Sequence, residues 1–480
     1  MTLMEATVPA WTLLPFVAML LSIAALPLIP ATAHRWENWR FQLALSLILG
    51  VPVILYMGFV FDWFVVGHTA FEYFQFIALL FALFVVSGGL FLDGDIEATP
   101  RNNTLFLTIG AVAASFIGTT GAAMLLIRPL LNINAERERK MHTVIFTILI
   151  VANNGGLLTP LGDPPLFLGF LRGVPFTWTF GLVWEWLFIN GLLLFIYYCL
   201  DVSEHGKEKP ENLQLDATEK RPIRILGSLN FVFFLMIIAA VALAPSIDLH
   251  AIEEGHAAWH QWIPWRELIF AAAAAGSFFL GDKRVRWELN EFDWGPIREV
   301  AVLFIGIFAT MMPALRFLAE VAPNLPLNQV TLFIFTGGLS GFLDNAPTYA
   351  TFFEMAAQLP GEPRVAGVPE SYLVAISLGA VTCGALTYIG NGPNFMVKSV
   401  AESRGVDMPS FGGYIGWSVR YLLPTLVAVV CIFISDSIVA TWVGVGIVVA
   451  LIIEGIILMR RGASNIGEPT PVPDSPIGRG

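Results

Sequence analysis

Charge is scarce in this chain. Of its 480 residues, 13% are Asp, Glu, Lys or Arg and 56% are apolar, whereas an ordinary soluble protein carries about 25% charged residues. Apolar runs of about 20 residues recur, long enough to cross ~30 Å of hydrocarbon at about 1.5 Å per helical residue. A soluble globular fold is excluded, and an all-α polytopic membrane protein is expected. Basic residues are scarcer than acidic ones, 26 against 37, for a net charge of −11. With no basic patch interleaved with aromatics, that excludes nucleic acid as a partner. The only cysteines, Cys199, Cys383 and Cys431, lie in apolar runs without metal-ligand spacing, which excludes a cysteine zinc cluster and a disulfide framework. No Lys or Arg precedes Arg35. The charged start of a signal peptide is therefore missing, and the first apolar segment is expected to remain as a span.

Full spans are expected at about 10–30, 41–60, 72–92, 143–170, 174–200, 228–246, 265–281, 296–320, 371–402, 411–434 and 437–459. Two further apolar stretches, 103–131 and 330–357, are interrupted by the polar segments SFIGTTG and SGFLDNAPT. Their arms are too short to span, so each is read as a re-entrant hairpin. With the N-terminus outside, this alternation gathers most basic residues on the cytoplasmic side, from Arg35 and Arg40 through Arg137, Arg139 and Lys140 to Lys398 and Arg404. Only Arg172, Arg266 and Arg364 fall in external loops. This is the positive-inside pattern. It implies a multi-pass protein of the bacterial inner membrane with a cytoplasmic C-terminus, a first hairpin opening inward and a second opening outward. Residues 201–227 read as a solvated cytoplasmic linker, and 460–480, rich in Pro and Gly, as a disordered tail.

The most unusual stretch is GGLLTPLGDPPLFLGF, Gly155–Phe170, which puts Pro160, Pro164, Pro165 and a carboxylate inside an apolar run. A second stretch, CGALTYIGNGPNFMVK, Cys383–Lys398, matches it at an offset of 228. Gly156, Leu158, Thr159, Gly162, Pro165 and Phe167 recur as Gly384, Leu386, Thr387, Gly390, Pro393 and Phe395, and Asp163 faces Asn391. The same offset lays Gly118–Thr120 on Ala346–Thr348. The chain therefore divides into a repeat at 1–200, the linker, a second repeat at 228–434 and an extra span at 437–459. Each repeat holds an odd number of spans, so the second is inverted relative to the first. Prolines and glycines stop a helix inside the membrane only where the freed backbone is buried in protein or lines a wet cavity. Inverted repeats with two such discontinuous helices are an architecture of secondary transporters.

NNGGLLTPLGDPPLF resembles the Gly-Gly…Thr…Gly-Asp-Pro-Pro segment of the ion transporter superfamily, which includes arsenite permeases, D-type sodium/proton antiporters, citrate transporters and divalent-anion/sodium symporters. SGFLDNAPTYAT is similar to the Asp-Asn-x-Pro hairpin of its antiporter and arsenite-permease branch. The resemblance covers essentially the whole chain. It implies a scaffold part that forms a homodimer and a transport part built from the hairpins and broken helices. Two departures stand out. Leu166 occupies a position where the family often has Asn, and the Ser-Asn-Thr hairpin tips of the dicarboxylate symporters are absent. The second departure argues against a dicarboxylate substrate.

The candidate ion- or substrate-binding set is Thr119, Thr120, Asn153, Asn154, Thr159, Gly162 and Asp163 from the first repeat. The second contributes Asp344, Asn345, Thr348, Thr382, Thr387, Gly390, Asn391 and Asn394. The set is rich in oxygen, with Asp163 and Asp344 as tentative sodium ligands that lie close enough to share a proton. A carboxylate in the membrane is a functional candidate by default, and neither motif contains Lys or Arg. The residues favour sodium/proton exchange. A cation-coupled citrate or other carboxylate transporter is the alternative, an arsenite or anion permease comes third, and a non-transporting membrane protein last. No enzymatic nucleophile–base pair lies in the spans. No cofactor is expected beyond Na⁺ and H⁺ as transported or coupling ions, and the partners are small ions or carboxylates and the lipid bilayer. Glu354 is expected as a further proton site, and His250, His256 and His260 as part of a solvated interfacial loop.

Overall fold

The structure, a computed structural model, describes residues 8–463 except 28, 37 and 219–220. The expected tail lies outside the described residues beyond Ala463; its first residues belong to the last helix. The protein is an all-α polytopic membrane protein, with seven described helices long and apolar enough to cross a membrane and several shorter apolar ones.

Helices α1 (Leu13–Ala25), α2 (Trp39–Val60) and α3 (Trp63–Ser87) lead into strand β1 (Phe91–Asp95). The first hairpin is α4 (Pro100–Ile117) and α5 (Thr119–Ile133). The first broken helix follows as α6 (Met141–Leu158) and α7 (Pro164–Leu171), and then α8 (Val183–His205). After α9 (Pro210–Thr218) and β2 (Arg221–Leu226) come α10 (Asn230–Leu243), α11 (Trp265–Leu280) and α12 (Gly295–Val321). The second hairpin is α13 (Gln329–Ser340) and α14 (Asn345–Ala357). The second broken helix is α15 (Glu370–Cys383) and α16 (Gly392–Ser403), followed by α17 (Phe411–Ile434) and α18 (Ile438–Ala463).

Both hairpins form, by different means. The first turns on Gly118 alone, whose φ of 81° and ψ of 147° suit a residue without Cβ. Its N-terminal arm starts with a Thr99 cap and Pro100, whose missing N–H costs a first turn nothing. The second turns through residues 341–344, and Asp344 caps α14 by accepting the Ala346 N–H at 3.0 Å. The one-residue turn against the longer one shifts the register. The first helical residues after the tips are Thr119 and Asn345, an offset of 226 instead of the 228 read from sequence.

Three other expectations change. Strand β1 replaces the end of the span read at 72–92 and pairs antiparallel with β2. Helices α1, α10 and α11 have 13, 14 and 16 residues, fewer than the ~20 that a perpendicular span needs. The linker is not simply solvated. Its charges are paired into the base of the first hairpin: buried Asp201 accepts from Arg137 Nη2 at 2.6 Å and from Asn103 Nδ2 at 3.1 Å, and lies 2.8 Å from His142 Nε2. Glu208 accepts the Arg139 N–H at 2.7 Å, and buried Asp216 accepts the Ala98 N–H at 2.9 Å. Burial, reinforced by the nearby charges of Glu136, Glu97 and Asp95, pushes Asp216 up to about 6.

Four helices begin at the centre of the molecule and diverge in two parallel pairs. Helices α7 and α14 pack side by side, so closely that a Cβ at Gly169 would run into the Tyr349 hydroxyl. Their far ends are joined by Arg172 Nε and Glu354 Oε1 at 3.3 Å. Helices α5 and α16 pack together and run the other way, ending where Arg404 Nη1 meets Asn132 Oδ1 at 3.3 Å. Each pair takes one helix from each half of the chain, as an inverted repeat requires.

Candidate functional site

The two breaks share one local design. Thr159 (φ −140°, ψ 157°) and Thr387 (φ −136°, ψ 168°) leave their helices in extended conformation, and their hydroxyls donate to hairpin carbonyls, Ser115 O and Gly341 O. Each hydroxyl also accepts the amide two residues on, Leu161 N–H at 3.1 Å and Ile389 N–H at 3.2 Å. Gly162 and Gly390 then fold back so tightly that a Cβ would strike the carbonyls of Gly156 and Gly384. Asp163 (φ −143°, ψ 143°) and Asn391 (φ −151°, ψ 139°) are the residues from which α7 and α16 restart. Prolines at the first turns of both helices preset the backbone without losing a hydrogen bond.

Asp163 is 1% exposed. Its Oδ1 accepts from Thr119 Oγ1 at 3.0 Å and from Asn391 Nδ2 at 3.2 Å, and its Oδ2 from Asn345 Nδ2 at 2.6 Å. These partners come from both hairpin tips and the other broken helix. Asp163 and Asn391 are repeat equivalents in contact with each other, which places them beside the pseudo-twofold axis. Four helix N-termini therefore meet at one carboxylate: α5 at Thr119, α7 at Asp163, α14 at Asn345 and α16 at Asn391. Their partial positive charges make this a location that favours negative charge. Among the described residues, no Lys or Arg bonds to Asp163, Asn345 or Asn391. Asn345 Oδ1 is buried without a hydrogen-bond partner, an oxygen acceptor left open next to the carboxylate.

A second layer holds this cluster. Asn153 donates to Asn394 Oδ1 at 2.7 Å and accepts from Asn391 Nδ2 at 3.2 Å. Asn394 donates to the carbonyls of Gly384 and Thr387, each at 2.9 Å. The Thr119 N–H reaches Gly162 O at 2.8 Å, locking the first hairpin tip onto the break.

Of the residues singled out from sequence, Thr119, Asn153, Asp163, Asn345, Asn391 and Asn394 form the cluster, and Gly162 and Gly390 shape it. The others turn elsewhere. Thr159 and Thr387 close the loops. Thr348 and Thr382 donate to the preceding helical turn, at Asp344 O (2.9 Å) and Leu378 O (2.6 Å). Asn154 donates to Leu149 O at 2.6 Å, and its own carbonyl accepts from Asn190, away from Asp163. Thr120 makes no side-chain bond to the cluster among the described residues. Asp344 Oδ1 accepts the Ala346 N–H as a helix cap, and among the described residues no hydrogen bond joins Asp344 to Asp163. Glu354 is paired with Arg172 Nε at 3.3 Å, at the far end of its helix from Asp163. Ser115 and Ser340 escaped the sequence reading. Their hydroxyls donate to the broken helices at Gly155 O and Ala380 O (2.6 Å for the second). The signal was present, a serine shortly before each hairpin tip.

The side chain of His250 lies outside the described ones; among the described residues no group of three or more His, Cys, Asp or Glu could hold a metal ion.

A family model described as "Putative citrate transport" matches residues 5–434, nearly the whole chain. No curated protein matches it. The chain belongs to this citrate transporter-like family.

Proposed function

We propose that the protein is a secondary transporter that carries citrate or a closely related carboxylate together with a proton or sodium ion, and that Asp163 is where the coupling cation rides. The observation that carries this reading is the meeting of four helix N-termini on one buried carboxylate. With Asp163 ionised, its charge occupies the favourable field of those termini. Once a proton or sodium ion neutralises it, the same field and the amide groups of Asn345 and Asn391 become available to a carboxylate of the substrate. Cation and anion then bind in order at one place, which is the condition for symport. The family description supports the carboxylate, and the intramembrane Asp163 supports the cation.

A second reading, sodium/proton antiport, rests on the open oxygen of Asn345 beside Asp163, a donor set suited to a hard cation. Proteoliposomes separate the two. Labelled citrate is offered under an inward pH or sodium gradient while an internal dye follows pH. Gradient-driven citrate accumulation supports symport, whereas a sodium-induced pH change indifferent to citrate supports antiport. The orientation read from the basic residues, with the linker cytoplasmic, and the homodimer belong to the same proposal. Cysteine labelling at Lys209 and His256 from opposite sides tests the orientation.

A further inference from the structure

A cavity of about 630 Å³ lies at the ends of α7 and α14 farthest from Asp163. Arg172 and Glu354, which line it, each stand nine residues beyond the central residues of their helices, Asp163 and Asn345, hence about 13 Å away. Arg172 is an unusual wall residue. Its side chain is only 8% exposed, and it faces Glu354 at 3.3 Å and Glu72 at 3.5 Å through Nε and Nη2. Its third nitrogen, Nη1, is buried without any hydrogen-bond partner. A guanidinium presents its donors as a planar fork suited to a carboxylate, and here one edge of the fork is unfilled. Arg316 lines the same cavity; it is exposed, stacked over the Phe61 ring at 5.1 Å, and has no carboxylate partner among the described residues. His68, Gln358 and a third carboxylate, Glu320, complete the polar lining, so an anion is drawn to the two arginines and not to the cavity as a whole.

We propose that this cavity is a receiving site for a small polycarboxylate, held between Arg172 and Arg316 before it moves to Asp163. The proposal rests on the carboxylate reading of the central site and supplies what that site lacks, a pair of cationic groups. Glu72 and Glu354 temper Arg172, so the anion is held weakly enough to pass on, as a site on a permeation path requires. The rung from Arg172 to Glu354 joins the very helices that start at the central site, so an anion competing for Arg172 loosens the contact between them.

The test uses the full-length protein. Citrate uptake is measured in proteoliposomes for wild type, Arg316→Gln and Arg172→Lys, and citrate binding is titrated in nanodiscs for Asp163→Asn with and without Arg316→Gln. Arg316 is exposed, so its replacement leaves folding intact even if a change at Arg172 does not. The expected result is a KM for citrate raised roughly tenfold in Arg316→Gln with kcat held within about twofold, the loss of one charge-assisted contact made before the transport step. Citrate binding should also persist in Asp163→Asn, whose neutral central site still admits a carboxylate, and weaken roughly tenfold when Arg316→Gln is added. If wild type transports citrate but Arg316→Gln leaves KM unchanged, or lowers kcat as strongly as it raises KM, the receiving site is overturned while the proposed function stands. If wild type transports no carboxylate, the proposed function fails. Binding in Asp163→Asn that depends on Arg316 then upholds the cavity on its own, and its absence overturns that too.

Discussion

The two broken helices have nearly the same backbone and opposite electrostatics. Thr159 and Thr387, Gly162 and Gly390, and Asp163 and Asn391 superpose in conformation and in local hydrogen bonding, yet the first break ends in a carboxylate and the second in an amide. The repeat is therefore a repeat of shape. Backbone carbonyls, threonine hydroxyls and small glycines build the same crossing twice, and one atom set, Asp163 Oδ versus Asn391 Nδ2, distinguishes the copies. Because the two residues touch at 3.2 Å, the amide of one copy is the ligand of the charge of the other. A second carboxylate at residue 391 would put two like charges in contact inside the membrane, which is costly. The asymmetry leaves one carboxylate in this pair, with an amide against it.

The strongest way to break the comparison is to move the charge. Asp163→Asn should lower gradient-driven uptake by roughly two orders of magnitude or more, because the carboxylate proposed to hold the coupling cation is gone. Insertion and folding should change little, since Asn345 can turn its unpartnered Oδ1 toward the new amide. Asn391→Ala should cost about tenfold, the loss of a charge-assisted hydrogen bond to Asp163 together with those to Asn153 Oδ1 and Ala152 O. Equal losses in the two variants, read from initial rates of citrate uptake, would show that charge is not what separates the copies.

Shape should matter equally in both. Gly162→Ala and Gly390→Ala each drive a Cβ into a backbone carbonyl that cannot move aside. Each should lower stability by about 1–3 kcal/mol, the range for overpacking, visible as parallel drops in the thermal unfolding temperature of purified protein. A drop in only one would show that the breaks are not equally tight.

The breaks were legible in the sequence because proline, glycine and a carboxylate are conspicuous in an apolar run, and because the pattern occurs twice. The hairpins were legible as polar interruptions in stretches too short to cross. The destinations of individual hydroxyls were not. Thr348 and Thr382 sit in the same motifs as Thr119, but a threonine on a helix can bond the carbonyl four residues back, and both do so. Thr119 escapes this because it is the first helical residue after Gly118 and has no preceding turn to bond. The cap at Asp344 was hidden for a related reason. A carboxylate just before a helix caps it, and nothing in the spelling DNAP separates a cap from an ion ligand. The linker was read as solvated because charge there suggests solvent, whereas Asp201, Glu208 and Asp216 are matched to groups at the base of the first hairpin.

A smaller effect separates the donors around Asp163. Asn345 lies at 2.6 Å and Thr119 at 3.0 Å. Asn345→Ala should reduce uptake about tenfold, and Thr119→Val by only a few-fold, as expected of a weaker bond. The reverse order would assign the tighter functional contact to the first hairpin.

The smallest expected effect concerns the linker, which docks on the base of the first hairpin. Burial pushes Asp216 up to about 6, so the docked linker holds that proton more tightly than the free chain does. Docking is then strongest below about pH 4, weakens as pH rises from about 4 to about 6, and is level above. Hydrogen exchange at the Ala98 amide should speed up across that window in wild type, after correction for intrinsic exchange, and show no such step in Asp216→Asn. The same step in both proteins would assign it to another group.

The most direct test of the central claim separates movement of the carboxylate from its coupling. Asp163→Asn is reconstituted in vesicles preloaded with citrate, and labelled citrate is followed in two regimes: exchange against the internal pool with no ion gradient, and net accumulation under an inward proton or sodium gradient. If Asp163 carries the coupling cation, the variant should retain measurable exchange while accumulation is abolished at every gradient. Accumulation in Asp163→Asn as steep as in wild type would contradict the account, because the coupling charge would then lie elsewhere.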